Sequence, residues 1–198
     1  GEDVDWFKSM IDDPRVFERL APHAKRIVYS LLDLEKPIIC RLNGPAAGLG
    51  ASIALLCDII IASEKASIGD PHAKMGLVAG DGGAVIWAQL VGFARAKEYL
   101  RTGRMMAAAE VEGIGLVNAA VPAEELDARV YGLADELAAG ARQAIRWTKT
   151  VVNIPLRDIA NKVMDACMGY ELATNISKDH QEAVRAFVEK RPARVVGE

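Results

Sequence analysis

Residues 43–83 read NGPAAGLGASIALLCDIIIASEKASIGDPHAKMGLVAGDGG, and the rest of the chain is organised around them. A glycine-broken turn at 43–50 opens a short apolar helix at 51–57, and a strand-like run at 59–63 follows at once. Glycine permits positive φ and lets the backbone approach a ligand closely. The start of a helix offers N–H groups that bind developing negative charge. This stretch therefore predicts a backbone anion site.

Two polar residues bounded by glycines follow the strand, namely His72 in GDPH at 69–72 and Asp81 in GDGG at 80–83. The imidazole of histidine titrates near neutrality, and a carboxylate bonded to it fixes the tautomer and stabilises the imidazolium. We therefore expect acid–base chemistry beside the anion site, with His72 as general base or acid and Asp81 as its orienting partner. Two structural alternatives stay open: a hydrogen-bonded histidine without a chemical role, and an aspartate that caps the next helix.

Short motifs occur in a regular order along the chain: KPII at 36–39, NGPA at 43–46, CDI at 57–59, GLV at 76–78, GDGG at 80–83, LRTG at 100–103, GLVN at 115–118 and VP at 121–122. Their order and spacing resemble the enoyl-CoA hydratase/isomerase (crotonase) superfamily. The resemblance implies an α/β fold, with a crotonase-like (ClpP/crotonase) ββα superhelix core at 1–122 and a helical C-terminal oligomerisation region at 123–198.

The resemblance also implies backbone and binding roles. It makes the N–H of Leu49 the second donor of an oxyanion hole, a role in which the side chain takes no part. In the superfamily, a set of strands and the first donor precede the segment that matches Gly1, so these N-terminal strands are expected to be missing from this sequence. The residues implied to contact substrate are Gly1, Glu2, Asp3, Ala47, Gly48, Ser52, Pro71 and Gly80.

Two positions depart from the hydratase pattern. Hydratases of the superfamily carry two catalytic glutamates, and the matching positions here are Ser52 and His72. The paired-carboxylate mechanism is therefore absent in its usual form. The pair of His72 and Asp81 resembles instead the β-diketone hydrolase branch, typified by 6-oxocamphor hydrolase. That branch also uses a glutamate on a C-terminal helix, for which Glu171 is the loose match, with a solvated helix face as the alternative.

Three functions are compatible with these residues. The first is an enzyme of the enoyl-CoA hydratase-like (lyase) kind in fatty acid metabolism, which forms an enolate of an acyl-CoA thioester in the oxyanion hole. The second is a C–C bond hydrolase of a β-diketone or β-keto substrate with a His/Asp-activated water. The third is a non-catalytic crotonase-fold binding or assembly subunit. The resemblance implies coenzyme A as part of the substrate, no separate cofactor, and a homotrimer or a hexamer built as a dimer of trimers.

Composition limits the class of protein. The chain has 198 residues, 51% of them hydrophobic, and a mean hydropathy of +0.11, which indicates a packed globular protein. Its net charge of −3 argues against a nucleic-acid-binding surface. No apolar run reaches the ~18 residues of a membrane span, and no metal-ligand cluster is visible. We therefore expect a cytoplasmic protein without metal, membrane or nucleic-acid partners. The cysteines, expected to be buried free thiols in a reducing cytosol, are Cys40, Cys57 and Cys167.

Hydrophobic periodicity predicts strands alternating with helices up to residue 122 and helices alone beyond it. The predicted strands are 37–42, 59–63 and 117–121. The predicted helices after the central stretch are 83–90, 94–100, 110–115, 126–137, 141–152, 156–170 and a last one capped by Ser177. A further helix starts at Pro14, and Pro22 should kink or split it.

Overall fold

The computed structural model describes Asp13 and residues 15–197, so the expected substrate contacts at Gly1, Glu2 and Asp3 lie outside the described residues. Its elements are α1 (Arg15–Asp33), β1 (Ile39–Leu42), β2 (Ala46–Ala47), α2 (Leu49–Leu55), β3 (Ile59–Ser63), β4 (Ser67–Gly69), a 3₁₀ helix (Pro71–Met75), α3 (Gly83–Thr102), β5 (Met105–Ala107), α4 (Ala108–Gly113), β6 (Ala119–Val121), α5 (Leu126–Ala139), α6 (Arg142–Asn175) and α7 (Lys178–Val188). Strands alternate with helices up to β6 and helices follow, so the predicted α/β fold with a helical C-terminal region is confirmed.

The described strands form two small sheets. In the first, the order is β1-β3-β6 and both pairings are parallel, with Ile39 opposite Ile59. In the second, the order is β2-β4-β5; β2 and β4 are parallel, with Ala47 opposite Gly69, and β5 runs antiparallel to β4. Parallel strands need crossover connections, and helices α2 and α3 lie in these connections. The strands of the second sheet have two or three residues each, which is too short for periodicity to predict.

One hydrophobic core joins the strands to helices from both halves of the chain. Helix α1 contributes Val28, α2 contributes Leu55, α3 contributes Trp87 and α6 contributes Met164, and each of these side chains is at most 2% exposed. Burying a side chain of this size stabilises the fold by ~1.5–3 kcal/mol. Because α6 packs into the same core as the strands, core packing also sets the position of this C-terminal helix.

Helix α6 is continuous from Arg142 to Asn175, where two helices separated near Pro155 were predicted. Proline inside a helix removes one backbone hydrogen bond, but contacts on both sides of it hold this helix in place. On the N-terminal side, the ammonium of Lys149 lies 2.9 Å from the carboxylate of Asp58. On the C-terminal side, Met164 is fully buried. Tertiary contacts thus outweigh the local cost of proline.

Two other helices show how local signals compare with packing. Helix α1 also continues through its proline, Pro22, which was predicted to kink or split it. Helix α3 is interrupted at Gly92, whose φ of 79° and ψ of 161° are not helical. This interruption agrees with the two predicted segments 83–90 and 94–100. Glycine therefore marked a real break, whereas proline in the first helix did not.

All three cysteines lie among the residues that the structure describes. Cys40, Cys57 and Cys167 are free thiols of intermediate burial. The thiol of Cys57 donates a hydrogen bond to the carbonyl oxygen of Ile53, 3.3 Å away. Among the residues that the structure describes, no helix combines the length and the apolar character needed to cross a bilayer.

Two glycine substitutions should change stability in opposite directions. Gly76 has φ +69°, and a Cβ there would lie 2.8 Å from the backbone nitrogen of His180. Gly76→Ala should therefore lower the free energy of unfolding, by ~1–2 kcal/mol from the left-handed conformation alone. Gly169 lies in α6, and among the described residues no atom beyond its chain neighbours and the backbone of its own helix is within 4 Å of an added Cβ. Gly169→Ala should therefore raise the free energy of unfolding by up to ~1 kcal/mol. Urea unfolding measures both, and a Gly76→Ala variant as stable as the parent would contradict the packing described here.

Candidate active site

The turn that opens α2 is held beside the strand that precedes His72. Because β2 and β4 are paired, Ala47 lies opposite Gly69, and the N–H of Gly48 donates to the carbonyl oxygen of Gly69 at 3.2 Å. The 3₁₀ helix begins two residues after Gly69, with Pro71 at its first position, where proline is favoured. The strand pairing therefore places His72 next to the glycine turn.

Gly48 is the point at which the turn meets the imidazole. Its φ of 55° and ψ of −125° suit glycine, and an added Cβ would lie 3.1 Å from Cε1 of His72. Leu49 is the first residue of α2, so its N–H belongs to a helical turn whose N–H groups have no intrahelical acceptor. The imidazole and the start of α2 therefore both lie beside Gly48.

The Nδ1 atom of His72 contacts Asp70, for which the sequence pattern predicted no role. Oδ1 of Asp70 lies 2.5 Å from Nδ1 and also accepts the backbone N–H of His72 at 3.3 Å. Asp70 is only 1% exposed. The orienting partner expected from the sequence was Asp81, whereas the carboxylate on Nδ1 belongs to Asp70.

The Nε2 atom of His72 faces two further carboxylates. Oδ2 of Asp81 lies 3.4 Å from Nε2, and Oε1 of Glu171 lies 3.7 Å from it. Asp81 comes from the loop before α3 and Glu171 from α6, so residues far apart in sequence meet at one imidazole. The hydroxyl of Ser52 donates to the other oxygen of Asp81, at 3.3 Å. The carboxylates are buried, with Asp81 5% and Glu171 3% exposed.

Small residues make this convergence sterically possible. Ser52 is fully buried, and a Cβ on Gly82 would lie 3.3 Å from its Cβ. A Cβ on Gly80 would lie 2.6 Å from Oε2 of Glu171 and 2.5 Å from the carbonyl oxygen of Cys167. The glycines that flank Asp81 therefore let its loop approach both α2 and α6.

Electrostatics favour the charged form of His72. Burial acts to lower the pKa of His72, but hydrogen bonds and negative charge from Asp70 and Asp81 outweigh it and raise the pKa well above the ordinary value for histidine. These contacts therefore favour the protonated form of the imidazole. This protonation also reduces the free energy cost of burying several carboxylates together.

The C-terminal helices anchor the segment that carries His72. Nδ1 of His180 donates to the carbonyl oxygen of Met75, at the end of the 3₁₀ helix, at 2.6 Å. Burial lowers the pKa of His180 and the nearby charge of His72 adds to this effect, although the bond to Met75 opposes it. The hydroxyl of Thr174 accepts the N–H of Val78 at 3.1 Å. Both contacts were missed, because the sequence gives no signal of which loop a C-terminal helix meets.

Most of the residues proposed for the site from the sequence lie at or beside this cluster. The members in contact with one another are Gly48, Ser52, His72, Gly80, Asp81 and Glu171. Ala47 is exposed on β2 and Pro71 is half-buried, next to Gly48 and His72 respectively. The position of Asp70, two residues before His72, could have indicated a role at the site. The same position is also typical of a helix cap, and Asp70 does cap the 3₁₀ helix.

The cluster contains ligand types that bind metal ions. One ligand atom from each of Asp70, His72 and Asp81 lies within 4.8 Å of the others. The short contacts, however, join Asp70 to Nδ1 and Asp81 to Nε2. A single ion binds only one of the two ring nitrogens, so it cannot take the place of both contacts. The geometry fits proton transfer better than metal coordination.

The chain resembles known proteins over nearly its whole length. A model of the family described as enoyl-CoA hydratase/isomerase matches residues 10–197. A probable mitochondrial enoyl-CoA hydratase from Dictyostelium discoideum is 35% identical over 163 residues, which cover 82% of this chain and 59% of that protein. The chain spans 59% to 66% of the length of several curated relatives that it matches.

Solved structures show the same fold. An enoyl-CoA hydratase/isomerase from Mycobacterium paratuberculosis is 30% identical with a TM-score of 0.88, covering 93% of this chain and 74% of that one. A β-diketone hydrolase from the cyanobacterium Anabaena is 28% identical with a TM-score of 0.78, covering 84% and 66% respectively. By the match to the family model and the shared fold, the chain belongs to the enoyl-CoA hydratase/isomerase (crotonase) superfamily.

Proposed function

We propose that this chain carries the acid–base groups of an enzyme that acts on an acyl-CoA thioester, with enoyl-CoA hydratase-like chemistry. The observation that carries the proposal is the convergence of Asp81 and Glu171 on Nε2 of His72, next to the turn at Gly48. The names of the relatives support an acyl-CoA substrate. Coenzyme A enters as part of the substrate, and the proposed chemistry uses no separate cofactor.

The proposed oxyanion site is the start of α2. The thioester carbonyl oxygen accepts the N–H of Leu49, so that negative charge developing on this oxygen meets a preorganised donor. One such donor contributes ~3 kcal/mol to the stability of the transition state in comparable sites. The leucine side chain has no part in this interaction, since only the backbone is used.

The proposed reaction divides acid and base between His72 and Asp81. The Asp81 carboxylate takes a proton from water as the water oxygen bonds to Cβ of the substrate, and the C=C electron pair moves to the thioester oxygen as an enolate. The enolate collapses as Cα takes the proton from Nε2 of His72. Asp81 is then protonated and His72 neutral, and a proton passing over the 3.4 Å between them restores both groups.

Glu171 and Ser52 complete this proposal. Glu171 lies on the same side of the imidazole as Asp81, where its carboxylate accepts a hydrogen bond from the attacking water and orients it. Ser52 orients Asp81 by donating to its second oxygen. Ser52 stands where hydratases of the superfamily carry a glutamate, and Asp81 would supply the carboxylate that this position lacks.

Three substitutions test the proposed roles. Asp81→Asn, Glu171→Gln and His72→Gln keep the size of each side chain but remove its base or acid function. Each should lower kcat for the hydration of crotonyl-CoA, which is monitored by the loss of enoyl-thioester absorbance. For the proton-transfer residues, the expected decrease in kcat is roughly 10²–10⁴-fold. The full-length protein is used, with melting temperatures measured in parallel. Asp165→Asn is the matched control, because it removes an exposed carboxylate paired with Lys25.

Near-normal turnover in all three variants would remove these side chains from the mechanism. An inactive parent protein that still binds enoyl-CoA in calorimetry would favour the non-catalytic alternative. A parent protein that neither hydrates nor binds any acyl-CoA would contradict the acyl-CoA proposal itself.

The pH dependence tests which form of His72 is active. Because the proposed reaction needs the imidazolium, kcat should fall as pH rises through the raised pKa of His72. The stability contributed by protonated His72 follows the same direction: it is present in full below the ordinary pKa of histidine and is lost as pH rises through the folded-state pKa. Rate profiles and urea unfolding across this range measure the two effects. A rate that increases with pH instead would mean that neutral His72 is the general base.

A second candidate function is hydrolysis of a C–C bond in a β-diketone. The similarity to the Anabaena β-diketone hydrolase favours it, as does a histidine where hydratases carry a glutamate. Here Asp81 takes a proton from water while the oxygen adds to one carbonyl carbon. The tetrahedral adduct then breaks its C–C bond, which leaves a carboxylic acid and an enolate, and the enolate carbon takes the proton from His72. Atoms and charge balance as in the hydration.

The second candidate predicts a product that the first does not form. With a cyclic 1,3-diketone, the protein should release the ring-opened keto acid, detected by mass spectrometry with one oxygen from labelled water. Asp81→Asn should abolish the product, whereas Asp165→Asn should not change it. Keto acid formation without any hydration of crotonyl-CoA would replace the first proposal by this one. No keto acid from several such diketones would eliminate the second candidate.

We also propose self-association, as the resemblance implies. Support comes from α6, which exposes Trp147, Val151 and Ile154 at helical spacing, each more than half exposed. Large exposed apolar side chains in one patch are typical of interaction surfaces. The homotrimer or dimer of trimers stays a prediction, as does the cytoplasmic location.

A further inference from the structure

We propose that Asp70 is the positioning residue of the acid–base cluster, which holds the proton of His72 on Nδ1 and aims Nε2 at Asp81 and Glu171. The inference deepens the proposed function and rests on it where turnover is concerned. It assigns a role to a carboxylate that neither the motifs nor the family pattern singled out. Its evidence is geometric and comes from both oxygens of the carboxylate.

The first oxygen holds the ring. Oδ1 of Asp70 lies 2.5 Å from Nδ1 of His72, the shortest of the contacts that the three carboxylates make with this imidazole. The same oxygen accepts the backbone N–H of His72 at 3.3 Å, which ties the ring to its own main chain. A ring rotated by half a turn would lose the Nδ1 contact. The contact therefore selects the orientation in which Nε2 faces Asp81.

The second oxygen, Oδ2 of Asp70, lies against the start of α3. A Cβ on Gly83, the first residue of that helix, would lie 2.2 Å from Oδ2 of Asp70, so only glycine leaves room for the carboxylate. Oδ2 is buried and, in the described part of the chain, has no hydrogen-bond partner. The N-terminus of a helix carries partial positive charge, which stabilises an anion placed against it. This placement sets favourable partial charge beside Oδ2, although Asp70 is only 1% exposed.

The effect of Asp70 on the proton affinity of His72 depends on the other groups around the imidazole. Asp70 faces Nδ1, Asp81 and Glu171 face Nε2, and His180 of α7 anchors the end of the 3₁₀ helix. Without the negative charge of Asp70, burial would still lower the pKa of His72, and Asp81 would be the main group that still raises it. Loss of this one charge should thus weaken the proton affinity of the imidazole.

A purely structural account of Asp70 is that it caps the 3₁₀ helix. Asn and Asp are comparable as caps, so Asp70→Asn retains the cap and the size of the side chain but removes its charge. The two accounts then differ in one measurable property. The positioning role predicts a lower pKa of His72 in the variant, whereas a cap alone predicts no change. Asp165→Asn is again the control for removal of a carboxylate.

The experiment is an NMR titration of protein labelled with ¹⁵N-histidine, without substrate. The chain has three histidines, and His23→Gln and His72→Gln variants assign the signals. In the parent protein, neutral His72 should be the Nδ1–H tautomer, because Asp70 holds that proton. Asp70→Asn should titrate His72 at lower pH, and kcat above neutral pH should fall by roughly 10²-fold or more with little change in KM.

Either of two results would overturn the proposal: an Nε2–H tautomer in the parent protein, or the same titration of His72 in Asp70→Asn and the parent. The tautomer is measured in the parent protein with Asp70 in place, so it decides the question even where Asp70→Asn does not fold. Neither NMR result depends on a substrate. If hydration of enoyl-CoA fails while the titration shifts as expected, the proposed function is wrong and the positioning role stands.

Discussion

The contacts between the largely buried imidazole of His72 and three carboxylates constrain how the elements of this fold pack. Isolated charges are costly to bury, and they are tolerated when opposite charges and hydrogen bonds accompany them. The ring lies between Asp70 on one nitrogen and Asp81 and Glu171 on the other, and these carboxylates favour its protonated form. Each carboxylate comes from a different segment of the chain, so the elements must pack in one arrangement to bring these charges together.

That arrangement is sterically possible only because glycines leave room for the groups that approach them. At Gly48 the missing side chain admits the imidazole, at Gly80 it admits Glu171, and at Gly83 it admits the second oxygen of Asp70. The three positions have different local conformations, and only Gly48 among them has positive φ. Close approach is therefore the property that they share. The glycine-rich character of residues 43–83 follows from packing around one imidazole as much as from turn geometry.

Helix α6 connects the stability of the fold to the site. Its buried residues include Met164 in the hydrophobic core and Glu171 in the charged cluster, two turns further along. At its other end, Lys149 is paired with Asp58. Because the helix is continuous, the packing of its buried residues in the core also fixes the position of the Glu171 carboxylate. This explains physically why the C-terminal region and the α/β layer share one core.

Local patterns in the sequence determined the α/β class, the strand at 59–63 and the break near Gly92, and they indicated His72 and Asp81 as site candidates, because periodicity and glycine-bounded motifs act over a few residues. The continuity of α6 through Pro155 and the very short strands β2, β4 and β5 depended on tertiary contacts that no local pattern records. The same holds for the partners of His72. Only the packing of α3 and α7 against the 3₁₀ helix, together with the approach of Glu171 from α6, decided that Asp70 meets Nδ1 while Asp81 and Glu171 meet Nε2. Ring orientation depends on charges brought together from distant parts of the chain.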